Sequence, residues 1–250
     1  MLSISHRGYC REVVENTWEA FEQAQSLGID GIETDIRLTS DGQLVLFHDR
    51  RLADGRAVSD LSHMELCKAM GAQVPALVET LQRFDSLLWV LELKDQSATE
   101  PLVHALRPLV ANRQLLVISF WHDAMVEVRR QLDIECGVTV AHRPADFSSY
   151  PLRPWHTIVW KYEFVDPLLI QQSIAEGHRN FVYDVQGIDE HRRCYELGLD
   201  GIISDEPQLV AAGRPAFTSD SPAVPLPLPQ APATQANRPG PITELDSGLA

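Results

Sequence analysis

Four short polar groups carry residue types suited to phosphodiester chemistry: His6-Arg7-Gly8, Glu33-x-Asp35, His48-Asp49 and Glu92-x-Lys94. Together they supply the imidazoles of His6 and His48, the carboxylates of Glu33, Asp35 and Glu92, and the cations Arg7 and Lys94. A phosphodiester resists attack because its anionic oxygens repel nucleophiles and its alkoxide leaves poorly. Fixed positive charge answers the first difficulty, and proton-transfer groups answer the second. If Glu33, Asp35 and Glu92 converge they repel one another, and a hard divalent cation with oxygen ligands, Mg2+ or Ca2+, relieves that repulsion.

Each group falls where an apolar run gives way to loop-like sequence, so the ends of strands are what position them. Strands are expected at residues 2–5, 31–36, 88–93, 115–120, 135–140, 157–160, 181–185 and 201–204, alternating with amphipathic segments as in a parallel sheet with crossover helices. The helices are expected at residues 102–110, 124–132, 167–176, 190–197 and 207–212. An earlier one opens on a capping-box pattern, Asn16-x-x-Glu19, and stops near Gly28. Residues 44–47 follow residues 34–38 after a turn too short for a parallel crossover, so they read as a hairpin that folds back and returns His48 to the same rim. His142 to Trp155, with three prolines, reads as a loop in place of one helix.

An internal echo supports closure into a (β/α)8 TIM barrel. Leu27-Gly28-Ile29-Asp30-Gly31-Ile32-Glu33-Thr34-Asp35 parallels Leu197-Gly198-Leu199-Asp200-Gly201-Ile202-Ile203-Ser204-Asp205, the same helix-to-strand junction early and late. In such barrels the chemistry sits at the carboxyl ends of the strands. Asp35 has a counterpart in Asp205, which reads as an N-cap for a helix at Pro207. Glu33 stands where the later copy has Ile203, and a carboxylate in an aliphatic position is costly to bury unless paired or bound to metal. Because strand side chains alternate, Glu33 and Asp35 share a face, as do Glu92 and Lys94.

Plainer readings exist for single residues. Glu92 and Lys94 could be an ordinary rim ion pair, which leaves Glu33 unexplained. Arg7 could cap a helix or pair with Glu15, Asn16 could serve only as a cap, and Asp49 could orient His48 or start a turn. His63, His104, His122, His156, His178 and His191 fall in helix or loop contexts and read as structural.

The 250 residues suffice for one substantial core. A net charge of -14 disfavours binding to nucleic acid or to an anionic membrane surface, so an anionic substrate needs local positive charge. Cys10, Cys67, Cys136 and Cys194 are too scattered for a zinc site or a disulfide framework. Strand-like sequence from Leu2 leaves no room for a signal peptide, and no segment is apolar enough to span a bilayer, so a cytoplasmic protein without stable membrane insertion is expected. Residues 1–214 form the expected barrel domain. Residues 215–250 hold half of the chain's 16 prolines and read as a disordered tail.

The ordered pattern HRG, ENT-x-x-AF at Glu15 to Phe21, DGIETDI-x-LT-x-DG at Asp30 to Gly42, HD at His48-Asp49 and ELK at Glu92 to Lys94 resembles the glycerophosphodiester phosphodiesterase family. The likeness runs from His6 to about Pro207 and includes the ending GLDGIISDEP. It implies that His6 and His48 are the acid/base pair, that Glu33, Asp35 and Glu92 hold Mg2+ or Ca2+, and that Arg7 and Lys94 contact the substrate phosphate. The implied reaction converts a glycerophosphodiester into glycerol 3-phosphate and an alcohol, with water or the glycerol 2-hydroxyl as nucleophile and either histidine as acid. Tyr183-Asp184-Val185-Gln186 departs from the family's usual Trp-Thr-Val-Asn, which changes the substrate-facing wall. The segment from His48 to Pro75 is shorter than in members with an inserted lobe. A lysophospholipase D-like hydrolase and a non-catalytic barrel that binds phosphorylated metabolites are the alternatives.

Overall fold

A computed structural model describes residues 1–144 and 156–212. Eight parallel strands close into a barrel: β1 (Leu2–His6), β2 (Gly31–Leu38), β4 (Leu88–Leu93), β5 (Gln114–Ser119), β6 (Glu135–Val140), β7 (Thr157–Lys161), β8 (Arg179–Tyr183) and β9 (Gly201–Ser204). Pairing of β1 with both β2 and β9 completes the ring, and the fold is the expected TIM barrel. The additional strand β3 (Leu44–Leu46) pairs antiparallel with the end of β2, Ile36 opposite Leu46, forming the expected hairpin.

Helices α1 (Trp18–Ser26), α4 (Thr99–Leu106), α5 (His122–Gln131), α6 (Pro167–Ala175), α7 (Gly187–Glu196) and α8 (Gln208–Ala212) follow their strands. Between the hairpin and β4 lie α2 (His63–Met70) and α3 (Leu77–Arg83), which the sequence reading leaves unassigned. The capping box that does form is Ser62 with Glu65, at the start of α2. Thr17, not Asn16, caps α1: its hydroxyl accepts from the Ala20 amide. Strand β8 begins two residues earlier than expected, because Arg179 and Asn180 pair with Thr157 and Ile158 of β7. The expected loop replacing a helix falls mostly on residues 145–155 and the expected tail on residues 215–250, outside the described residues.

Period-two alternation sorts the strand residues into two cores. Outward residues such as Trp89, Leu91 and Leu93 pack beneath the helices, with Trp89 edge-on to Phe21 at 5.2 Å between ring centres. Inward residues Ile4, Val90, Leu116, Val159, Phe181 and Ile203 fill the barrel's interior. Continuing each inward row by two residues leads from this apolar plug to His6, Glu92, Ile118, Lys161, Tyr183 and Asp205. The sequence changes from aliphatic to largely polar where the strands end. Among the described residues no helix is long and apolar enough to cross a membrane, and all four cysteines are free.

Candidate active site

The carboxyl ends of β1, β2 and β4 bring the acidic residues together through register alone. His6 stands opposite Glu33, and Asp35 stands opposite Glu92. One carboxylate oxygen from each of Glu33, Asp35 and Glu92 lies within 4.8 Å of the others, as sharing one ion requires. Glu33 and Asp35 are 1% and 0% exposed.

Each carboxylate has different company. Glu33 Oε2 accepts from the Arg7 backbone amide at 3.2 Å, whereas its buried Oε1 has no hydrogen-bond partner among the described residues. Burial, then the adjacent Asp35 charge, push the Glu33 carboxyl up to about 8, with His6 opposing the shift. Asp35 is held below the usual carboxylate range: burial works against its charge, but Lys94, Arg7 and the Asn16 amide outweigh it. Glu92 is shifted upward by burial despite Lys94. The Lys94 ammonium lies 2.9 Å from Asp35 Oδ1 and 2.7 Å from Glu92 Oε1, yet neither oxygen receives a well-aligned hydrogen bond. Each of the three carboxylates keeps a buried oxygen with ligand capacity to spare, and the trio offers one oxygen apiece within 4.8 Å of one another, which fits a hard divalent cation.

The two imidazoles come from different elements. His6 ends β1, with Nδ1 2.7 Å from Asp205 Oδ1 and Nε2 3.9 Å from Glu33 Oε2. Burial disfavours its charged form, but the Asp205 hydrogen bond and the Glu33 charge together raise its pKa. His48 follows the hairpin, with Nδ1 2.9 Å from Asp49 Oδ1. Both rings, with Arg7, Glu33, Glu92 and Lys94, line one cavity of about 350 Å³. Its remaining wall includes Ile118, Phe120, Val159 and Tyr183, and the rings of Phe120 and Tyr183 meet edge-on at 6.4 Å. The departing segment noted in the sequence lies on this wall, where Tyr183, Asp184, Val185 and Gln186 all face the cavity.

Arg7 carries more than one charge contact. Its Nε lies 3.1 Å from Asp35 Oδ2 and its Nη1 donates to Glu15 at 2.9 Å, so it does pair with Glu15. Its backbone is left-handed at φ 57 and leads into Gly8 at φ 81. A Cβ on Gly8 would sit 2.8 Å from the Ala20 backbone, so the loop can pack onto α1 only with glycine there.

Some supporting residues escaped the sequence reading. Asn16, read as a cap, is buried in a left-handed conformation, where its amide donates to Asp35 Oδ2 at 2.9 Å and accepts from Thr34 Oγ1 at 2.6 Å. Asp205, read as an N-cap, bonds His6 instead, because β9 ends beside β1 and delivers it there. Arg37 donates through Nε to the His48 carbonyl at 2.8 Å and pairs with Asp95 at 2.9 Å, which ties the hairpin to the segment after β4. Its signal was a cation inside an apolar strand. Asp49 partners His48, as one of the two readings had it.

The family model described as the glycerophosphoryl diester phosphodiesterase family matches residues 6–209. A glycerophosphodiester phosphodiesterase of Caldanaerobacter subterraneus subsp. tengcongensis is 28% identical over 236 residues, covering 83% of this chain and 95% of that protein. A lysophospholipase D of Mus musculus is 24% identical, covering 82% and 83%. An Oleispira antarctica phosphodiesterase, solved in complex with the product sn-glycerol-3-phosphate, superposes with a TM-score of 0.74 at 25% identity, covering 84% of this chain and 95% of that one.

Proposed function

The chain belongs to the glycerophosphoryl diester phosphodiesterase family, and on that premise we propose that its cavity hydrolyses a small glycerophosphodiester to glycerol 3-phosphate and an alcohol, with a divalent cation held by Glu33, Asp35 and Glu92. The observation that carries this reading is the buried acidic trio, with oxygens lacking good hydrogen bonds, two of whose members, Glu33 and Glu92, line a cavity that His6 and His48 also line. Mg2+ and Ca2+ both suit an all-oxygen donor set, and when bound the cation supplies charge stabilisation at the phosphoryl oxygens.

Arg7 and Lys94 lie at the cavity wall beside the carboxylates. There they offset the phosphoryl charge and hold the diester with its scissile bond between the imidazoles. One imidazole takes the proton of the attacking hydroxyl while the other gives one to the departing alkoxide, each worth on the order of a hundredfold or more. Local cations and the cation site thus admit an anion to a protein whose net charge is -14.

A lysophospholipid is the second reading. Phe120 and Trp121, at the end of β5, are 48% and 47% exposed and could meet an acyl chain, and the mouse relative carries the name lysophospholipase D. Assaying a soluble glycerophosphodiester beside a lysophospholipid separates the two. Release of glycerol 3-phosphate from the soluble diester is expected, and turnover of the lysophospholipid alone would reassign the substrate.

A further inference from the structure

Ser5 of β1 stands opposite Ser204 of β9, so the next residues, His6 and Asp205, emerge side by side at the cavity. The segment after β9 is anchored on both sides of its line: the Glu206 amide donates to Ser204 Oγ at 2.9 Å, and the Glu206 side chain pairs with Arg11 of the loop that follows β1. The Asp205 carboxylate is 73% exposed and makes one ion pair among the described residues, to His6. Its oxygens only accept hydrogen bonds when ionised. The 2.7 Å contact therefore places a hydrogen on His6 Nδ1 and leaves Nε2, turned towards Glu33, free to gain or lose a proton at the cavity.

We propose that Asp205 is a positioning residue for His6, holding its ring in the Nδ1–H tautomer so that Nε2 is the nitrogen that exchanges a proton with the reactants. The inference rests on the acid/base reading of His6 given above. Proton balance follows directly. Nε2 accepts the proton of the attacking hydroxyl or donates one to the departing alkoxide. Nδ1 keeps its own throughout, and none passes to Asp205. Which nitrogen of a histidine reacts is set by the hydrogen bond at the other. Without Asp205 the ring can rotate and take the opposite tautomer, which presents the wrong nitrogen to the substrate. His48 has its own carboxylate, Asp49, at 2.9 Å, so loss of Asp205 should disturb one imidazole and spare the other.

The test compares wild type, Asp205→Ala and Asp205→Glu, all full length and labelled with 15N-histidine, by long-range 15N–1H NMR at a pH where the ring is neutral. Signals are assigned from the His6→Ala spectrum. We expect His6 in wild type to show a protonated Nδ1 and a bare Nε2. Asp205→Ala should lose that preference, Asp205→Glu should regain part of it, and His48 should stay unchanged. On a soluble glycerophosphodiester, kcat of Asp205→Ala should fall about tenfold or more, with KM within about twofold and partial recovery in Asp205→Glu. An unchanged His6 tautomer in Asp205→Ala, or an unchanged kcat, overturns the proposal. If His6→Ala itself keeps full turnover, the acid/base reading fails on its own, and the NMR spectra still decide whether Asp205 orients the ring.

Discussion

Replacing Glu33 by glutamine keeps the volume of a buried side chain and deletes its charge, which makes it the sharpest single-residue probe of the proposed cation site. Turnover is expected to fall about a hundredfold or more and calorimetric affinity for Mg2+ or Ca2+ to weaken strongly, while the far-UV spectrum stays native. The same carboxyl sets a pH dependence. In the ion-free fold it is pushed up from 4.5 to about 8, so the folded chain holds a proton that the unfolded chain releases at lower pH. That contribution is complete below about 4.5 and is lost as pH rises through about 8. In EDTA, the Glu33 contribution to Tm should therefore decline across this window, and saturating cation, which replaces the proton, should flatten the decline. Equal slopes with and without cation would argue against Glu33 as a ligand. Glu33 was legible because the chain's own echo puts Ile203 in its place. Asp205 was not, because the same echo matched it to Asp35, and only the adjacency of β1 and β9 reveals its contact with His6.

The loop between β1 and α1 bears most of the positioning at the level of elements. It contributes Arg7, Glu15 and Asn16, and two of its residues, Arg7 and Asn16, adopt positive φ without being glycine. Their strain is borne by the contacts with Asp35, Thr34 and Glu15. Gly8→Ala would drive a methyl into the Ala20 backbone, so it should destabilise the fold by about 1–3 kcal/mol and displace Arg7, lowering both Tm and kcat. Native Tm with full activity would show the loop to be more compliant than its packing implies. The barrel strands were readable from the sequence because each is a bounded apolar run, and β4, β6 and β9 match expectation end to end. Helices α2 and α3 were less readable. They are short and bury few residues: Leu66 of α2 packs with Val45 of the hairpin and with Val58 and Leu61, whereas Leu77 and Leu81 of α3 join the core around Phe21 and Trp89. Asn16 looked like a cap because its polar side chain precedes a helix, yet it binds across to β2.

At the scale of the whole molecule, an apolar plug at the barrel's centre supports a polar mouth, so substitutions that soften the plug should reach the chemistry through the strand ends. Every residue assigned to the site lies between His6 and Asp205. Deleting residues 215–250, the proline-rich end that reads as a separate tail, should leave kcat and Tm within error of the full chain. A large loss of either would give that segment a part in the barrel. The central claim is that hydrolysis depends on a cation held by Glu33, Asp35 and Glu92. The most direct measurement is glycerol 3-phosphate release from a soluble glycerophosphodiester after EDTA treatment, and again after adding back Mg2+ or Ca2+. Activity that disappears on chelation and returns with one of these ions in wild type, but not in Glu33→Gln, is the predicted result. Turnover that survives complete chelation would contradict the account.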